Sequence, residues 1–274
     1  MKQIITPNVI TKVAFNSSDP HEVRQAARAG ILDGPTTTLA AGHVQANIVI
    51  LPADFASDFL LFCQRNPKPC PLIAMSDVGS PRLLKLGEDL DLRTDLPRYR
   101  VFRDGKMVED RADISELWQD NFVGFALGCS LSFESSLGET GLSQAYLEQG
   151  RVVPTYVTNI DCEPGGCFSG KLVVSMRQFS AQDAIRAIQV TSRFPNVHGA
   201  PIHIGDPSTI GINDLAVPYF GTAPAMKNDQ LPLFWACGVT PQIALEKARP
   251  PISITHTPAH MLVTDLRNAS LSSF

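Results

Sequence analysis

Residues 44–66 read VQANIVILPADFASDFLLFCQRN, and the change of pattern at Pro52 decides the fold class. Residues 44–51 (VQANIVIL) form a short apolar run rich in β-branched side chains, which reads as a buried strand. Pro52 then opens a helix, DFASDFLLFCQRN. That helix stops before Pro67 and Pro69, which cannot continue it.

Upstream, Ser18 or Asp19 can cap a helix with Pro20 in its first turn, followed by HEVRQAARA and ended by Gly30. Residues 31–43 are loop-like. Downstream, Arg100 to Glu109 reads as a hairpin turning at Asp104-Gly105, residues 113–120 as a short helix, and 122–128 (FVGFALG) as a strand running into CSLSFESSL. A second hairpin spans 152–176, and a helix occupies 180–193. LPLFWAC is a strand, TPQIALEKA a helix with Thr240 as cap and Pro241 at its first position, and ISITH and MLVTD are strands. Strands alternating with helices argue for an α/β chain, and the hairpin-rich middle breaks the alternation. The expectation is a two-lobed α/β fold, with a mixed sheet carrying helices on both faces and a smaller inserted α+β lobe. Residues 1–134 and 216–274 make the main lobe and 135–215 the inserted one.

The chain has 274 residues, 44% apolar and 18% charged, with net charge −4. These values fit a globular protein and exclude a disordered one. No basic excess exists to hold a phosphate backbone, so a nucleic-acid partner is not expected. The N-terminus, MKQIITPNVITKVAFNSSD, lacks a continuous apolar segment and a small-residue cleavage site, and no apolar run is long enough for a bilayer. A cytoplasmic chain with no membrane association is expected. The six cysteines show no paired CxxC motifs and read as free thiols rather than bridges or a zinc site.

Three strands end in polar turns, at Cys129-Ser130, Cys237-Gly238 and His256, and such ends can line one cleft. The segment 198–206 packs His198, His203, Asp206 and two glycines into nine residues. Histidine exchanges protons near neutral pH, and glycine lets backbone approach a ligand. His256 and His260 form a second pair, but Pro258 between them opposes the helical spacing of zinc enzymes. Glu134, following a strand and an apolar residue, offers a partly desolvated carboxyl group or a helix-start acid. Arg177 ends a strand, and Arg93, Arg98 and Arg100 form a cluster; a guanidinium from either place can clamp a carboxylate, or Arg177 can brace the lobes against an acid. No GxxxxGK[ST], GxGxxG or GxSxG motif is present.

The segments QANIVILP (45–52), DFLLFCQRNPKPCPL (58–72), DLRTDLPRYRVFRDG (91–105), VVSMR (173–177), HGAPIHIGDP (198–207), GIND (211–214) and FWACGVTPQ (234–242) resemble the D-glutamate cyclase family, many of whose bacterial members are named hydro-lyases. The resemblance runs over roughly residues 20–266. It implies a two-lobed α/β fold and a lyase of the carbon–oxygen class, catalysing reversible dehydration of D-glutamate, or a related small carboxylate, to 5-oxo-D-proline. The sequence departs from the family pattern in places. Residues 218–222 (PYFGT) hold no acid, where the family's loop carries acidic residues around an aromatic and a glycine; Ala259 stands where a glycine is favoured, Leu131 varies the CSFSFE motif, and Thr37-Thr38 follow the early GPT.

Lactam formation needs a neutral amine, an electrophilic γ-carboxyl and a proton for the departing oxygen. His203 or His198 can take the amine proton, with Asp206 orienting the imidazole. Glu134 can protonate the leaving oxygen, and Arg177 can hold a carboxylate. Backbone N–H groups at Cys129, Ser130, Cys237 or Gly238 can steady an oxyanion, with His256 beside them. No cofactor is called for, a divalent metal and a homodimer are left open, and the partner is a small carboxylate or amino acid. Two other readings stand beside this one: a non-catalytic carboxylate-binding protein on the same scaffold, and hydration or dehydration of a different carboxylate such as a hydroxy acid.

Overall fold

The computed structural model describes residues 15–142 and 152–273. The N-terminal reading falls, up to residue 14, outside the described residues. The fold is α/β, with two sheets and five α-helices among the described residues. Strand β1 (His43–Pro52) is buried at every position but His43. Its side chains alternate between two cores, as the period of a strand dictates. Ala46, Ile48 and Ile50 join one core. Val49 and Leu51 join the other, against Phe59 and Phe62 of α2 (Ala53–Arg65). Burial on both faces explains why the segment is apolar almost throughout.

One edge of β1 pairs with β5 (Phe122–Leu127), from Asn47↔Leu127 to Pro52↔Phe122. The other edge is divided. β11 (Leu262–Arg267) pairs with its first half and β10 (Ser253–His256) with its second. Outward lie β2 (Leu72–Met75) beside β5, and the hairpin of β3 (Tyr99–Arg103) and β4 (Lys106–Arg111) beside β10. The hairpin turns at Asp104 and Gly105, both at positive φ (48° and 78°), as a tight two-residue turn between right-twisted strands requires. The second sheet has the order β6 (Thr155–Asp161), β7 (Lys171–Phe179), β9 (Leu231–Ala236), β8 (His203–Ile204). The pairings described in both sheets are antiparallel. The sheets share one core: Val123 and Phe125 of β5 meet Val174 and Met176 of β7 and Phe234 of β9.

The helix starts follow from capping chemistry. The Asp19 carboxylate accepts from the backbone N–H groups of His21 and Glu22 ahead of α1 (Pro20–Arg28). Ser180 accepts from Asp183 N–H ahead of α4 (Ala181–Thr191). Helix α3 (Leu131–Glu139) follows β5 directly. Two readings need correction. Thr240 is the first residue of α5 (Thr240–Ala248), and Val239 holds the cap position. The Thr240 hydroxyl accepts from Val173 N–H at 3.0 Å, so it ties the helix to β7 instead. The helix read at 113–120 contracts to one 3-10 turn, Ser115–Leu117, because Trp118 adopts extended backbone and donates its indole N–H to the Gly79 carbonyl at 2.9 Å.

Arg24 of α1 is fully buried, and its guanidinium meets Asp265 of β11 at 2.8 Å and Asp89 at 2.7 Å. Asp265 is 47% exposed and Asp89 also holds Arg28 at 2.8 Å, so the acids keep water or a partner when Arg24 is lost, and the cost is that of the guanidinium's own hydrogen bonds. Arg24→Ala should therefore destabilise the protein by about 2–3 kcal/mol. Urea unfolding measures this, and a loss below about 1 kcal/mol, the scale of an exposed pair, would contradict it.

Candidate functional site

A cavity of about 170 Å³ opens beyond the ends of β5 and β9. At roughly 30 Å³ per water it has room for one small organic acid. Cys129, Ser130, Glu134, His198, Cys237, Gly238 and His256 line it. Asn47, Thr37 and Thr38, Ser175 and Phe220 are also among its lining residues.

Asn47 organises the floor. It lies on the same face of β1 as Val49 and Leu51, one residue before the apolar run becomes continuous. Its Nδ2 donates to the Gly128 carbonyl at 2.9 Å, fixing the turn that carries Cys129. On its other side stands Gly238, where an added Cβ would come within 2.5 Å of the same Nδ2. A single amide therefore separates the turn after β5 from the turn after β9. Each turn runs into a helix, α3 or α5, so two helix N-termini approach the cavity. These ends carry partial positive charge and favour an anion.

Arg177 lies beneath this wall. In β7, Ser175 and Arg177 share the face of Trp235 and Leu233, their partners in register. The guanidinium is fully buried. Its Nε donates to Glu134 Oε1 at 2.9 Å, and Nη2 donates to the same oxygen. Nη1 donates to Ser175 Oγ at 2.8 Å and Nη2 to Ser130 Oγ at 3.0 Å. The rings of Phe133 and Trp235 lie 5.4 and 5.3 Å from its central carbon. Arg177 is not among the residues that line the cavity; Glu134, Ser130 and Ser175, which it holds, are. In the other arginine cluster, Arg93 pairs with Asp91 and Arg98 with Asp110.

The two cavity histidines are neutral and opposite in tautomer. His198, held at φ 77°, has Nδ1 2.6 Å from the Lys68 carbonyl. A carbonyl only accepts, so Nδ1 carries the proton and Nε2 keeps its lone pair. His256 Nδ1 lies 3.2 Å from the Ile48 backbone N–H and 3.5 Å from the Ile48 carbonyl; the shorter contact, with Nδ1 accepting, places its proton on Nε2. Burial pushes both imidazoles down to about 4. The cavity cysteines are half-buried. Burial pushes the Cys237 thiol up to about 11 and raises Cys129, while the N–H groups of Val239 and Leu131 and the Arg177 charge act in the opposite direction.

His203 and Asp206 are not among the lining residues. His203 pairs with Phe234, so β8 delivers it to the opposite sheet face from Arg177. Its Nε2 meets the Asp206 backbone carbonyl at 2.8 Å and Thr209 Oγ1 at 3.1 Å. The Asp206 carboxylate is bound to Ser208, accepting from its backbone N–H and hydroxyl, each at 2.9 Å. The polar density of 198–206 thus has two sources: His198 at the cavity, and a capped turn around His203. Sequence reasoning did not single out Asn47 or Ser175. A signal for Asn47 existed, since it interrupts an otherwise apolar strand. The loop around residues 218–222 brings Phe220 to the cavity, its carbonyl accepting from Thr155 N–H at 2.8 Å. Ala259, at the glycine-favouring position, has φ 69°.

Among the described residues no group of three His, Cys, Asp or Glu side chains is arranged to hold a metal ion. Among them no helix is long and apolar enough to cross a membrane. A family profile described as D-glutamate cyclase matches residues 123–265. A Bordetella pertussis protein is 59% identical over 254 residues, 93% of this chain and 92% of its own. A Burkholderia cenocepacia protein is 54% identical over 93% of this chain and 99% of its own. An Afipia carboxidovorans protein is 52% identical over 97% and 98%. All three are provisionally named hydro-lyases. A solved nitrogen repressor-like protein from Methanococcus jannaschii aligns with a TM-score of 0.35 at 12% identity, over 87% of this chain and 91% of its own.

Two measurements follow from this geometry. Ala259→Gly relieves a left-handed alanine and should stabilise the protein by roughly 1 kcal/mol, or about 2–4 °C in Tm. A lower Tm would mean that the alanine methyl packs for more than its strain. The histidines act on acid stability. An ordinary histidine titrates near 6.5, so the unfolded chain takes up protons below that pH that the folded His198 and His256 refuse until about 4. Stability should fall as pH drops from 6.5 to 4. His256→Gln should flatten that slope in urea titrations, and parallel wild-type and variant curves would contradict the assignment.

Proposed function

The chain belongs to the D-glutamate cyclase family, and from that premise we propose that the cavity at His198, His256 and Glu134 is the active site of a hydro-lyase that interconverts D-glutamate, or a related small carboxylate, and its lactam, 5-oxo-D-proline. The observation that carries this reading is the pair of buried, neutral imidazoles of opposite tautomer in one cavity. One presents a lone pair that can take and return a proton, and the other an N–H that can hydrogen-bond the oxygen that leaves.

In the direction of ring closure, the amine nitrogen attacks the γ-carboxyl carbon. As the C–N bond forms, His198 Nε2 takes the proton that the nitrogen sheds. The γ-carboxyl enters protonated, and its OH leaves as water on taking that same proton back from His198, while His256 Nε2–H donates a hydrogen bond to the carboxyl oxygen. Among the described residues no arginine or lysine lines the cavity, so the substrate's negative charge rests on the N-termini of α3 and α5 and on hydroxyl and amide donors. Arg177 is a positioning residue in this scheme. It holds Glu134, Ser130 and Ser175 in place from beneath.

Incubation of the purified protein with D-glutamate and with 5-oxo-D-proline, read by chiral chromatography, tests the reading. His198→Asn should lower turnover by about 10²–10⁴-fold, the usual contribution of a general base. His203→Asn should keep the wild-type rate within a few-fold. The base must be neutral, so kcat/KM for 5-oxo-D-proline, which carries no amine to protonate, should fall on the acid side as pH drops through about 4. Calorimetric binding of either compound without turnover would reduce the protein to a carboxylate binder.

A further inference from the structure

The dehydration leaves two groups of the cavity unused, the thiols of Cys129 and Cys237. They arrive from different sheets, Cys129 after β5 and Cys237 after β9. Both line the cavity and both are free. Their turns stand on either side of Asn47, which donates to Gly128 and packs against Gly238. Their settings match. Each follows the end of a strand, precedes a helix, and receives a backbone N–H two residues on, from Leu131 or Val239. A negative charge on Cys129 is felt at Cys237. Two like proton carriers approaching one small cavity from two sides suit a reaction at carbon in which one face of a centre loses a proton and the other gains one.

We propose that Cys129 and Cys237 act as a two-sided acid–base pair that inverts the carbon next to a carboxylate in a small amino acid or lactam. The working form carries one thiolate and one thiol. The thiolate takes the Cα proton, and the electron pair of the C–H bond passes into the carboxylate as an enolate. The opposite thiol returns a proton to the other face and becomes the thiolate. Nothing is oxidised or reduced, no other reactant enters, and the second enantiomer runs the same steps in reverse. The desolvation that raises both thiols makes the thiolate, once formed, a strong base for a weakly acidic C–H bond. Backbone N–H groups at the two turns favour that thiolate, as does the buried Arg177 charge, which Glu134 opposes at Cys129. This inference shares the cavity with the dehydration and none of its bonds, because ring closure breaks no C–H bond.

The experiment incubates the full chain in D₂O with four probes: D-glutamate, L-glutamate, 5-oxo-D-proline and 5-oxo-L-proline. Proton NMR follows loss of the Cα–H signal, and chiral chromatography follows inversion. The wild type should exchange Cα–H for deuterium in at least one enantiomeric pair. Cys129→Ser and Cys237→Ser should each slow inversion by at least about 100-fold, the scale of a lost acid–base group. Each variant should lose exchange from a different enantiomer. Thermal melts check that the variants fold. Should either fail, reversible thiomethylation of a Cys167→Ser protein, undone with dithiothreitol, gives the same readout, since Cys167 is the exposed thiol. Retention of protium in all four probes overturns the proposal, as does wild-type inversion in both variants. Water loss read by mass in the same samples separates the two readings. Ring closure without Cα exchange defeats the thiol pair alone, and exchange without ring closure defeats the dehydration alone.

Discussion

The site depends on one buried ion pair, Arg177 with Glu134. The pair joins the two halves of the cavity wall, since Arg177 comes from β7 of the second sheet and Glu134 from the helix that follows β5 of the first. Burying a guanidinium costs several kcal/mol of hydration. Glu134, the hydroxyls of Ser130 and Ser175 and the faces of Phe133 and Trp235 offset that cost. The planar fork suits this arrangement, because its nitrogens diverge to three lining side chains at once. The same geometry explains why Ser130, at the cap position of α3, makes no side-chain cap: its hydroxyl accepts from Arg177 instead.

A positive charge under the wall changes the groups above it. It lowers the affinity of Cys129, Cys237 and His198 for a proton, against burial that raises the thiols and acts in the same direction on the imidazole. The helix ends add their own partial charges from above. Glu134, which lines the cavity, opposes the Arg177 charge at Cys129, so the attraction for a small anion rests on the helix ends. A protein of net charge −4 can hold a small anion this way without a guanidinium at the ligand.

The fold class was legible because β1 and α2 differ so sharply in pattern and because proline and the Asp-Gly turn mark the boundaries between elements. Membership of the family was legible in the long motifs. The pairing of the strands was not, since strand–helix alternation does not reveal that β10 and β11 share one edge of β1. At the site, the strand-end residues Cys129, Cys237 and His256 stand out as polar breaks after apolar runs. The choice between His198 and His203 depends on sheet register, which a list of nearby polar residues does not contain. Arg177 shows the same limit. The residue type offers a clamp, and only packing distinguishes a ligand from Glu134 as its partner. Asn47 escaped because a buried amide is read as strand until Gly128 and Gly238 are seen to meet on it.

The acid-free loop at 218–222 fits this electrostatic design. Phe220 faces the cavity there, beside Val152, Val153, Val239 and Met261. An apolar wall excludes water and lowers the local dielectric, which strengthens the fields of Arg177 and the helix ends. It also favours neutral over charged imidazole, and so preserves the opposite tautomers of His198 and His256 at neutral pH. A carboxylate in the position of Phe220 would draw water, partly cancel the positive field and raise the proton affinity of both histidines. An aromatic side chain at this point of the wall therefore suits a dry site for a small anion whose protons are handled by neutral groups.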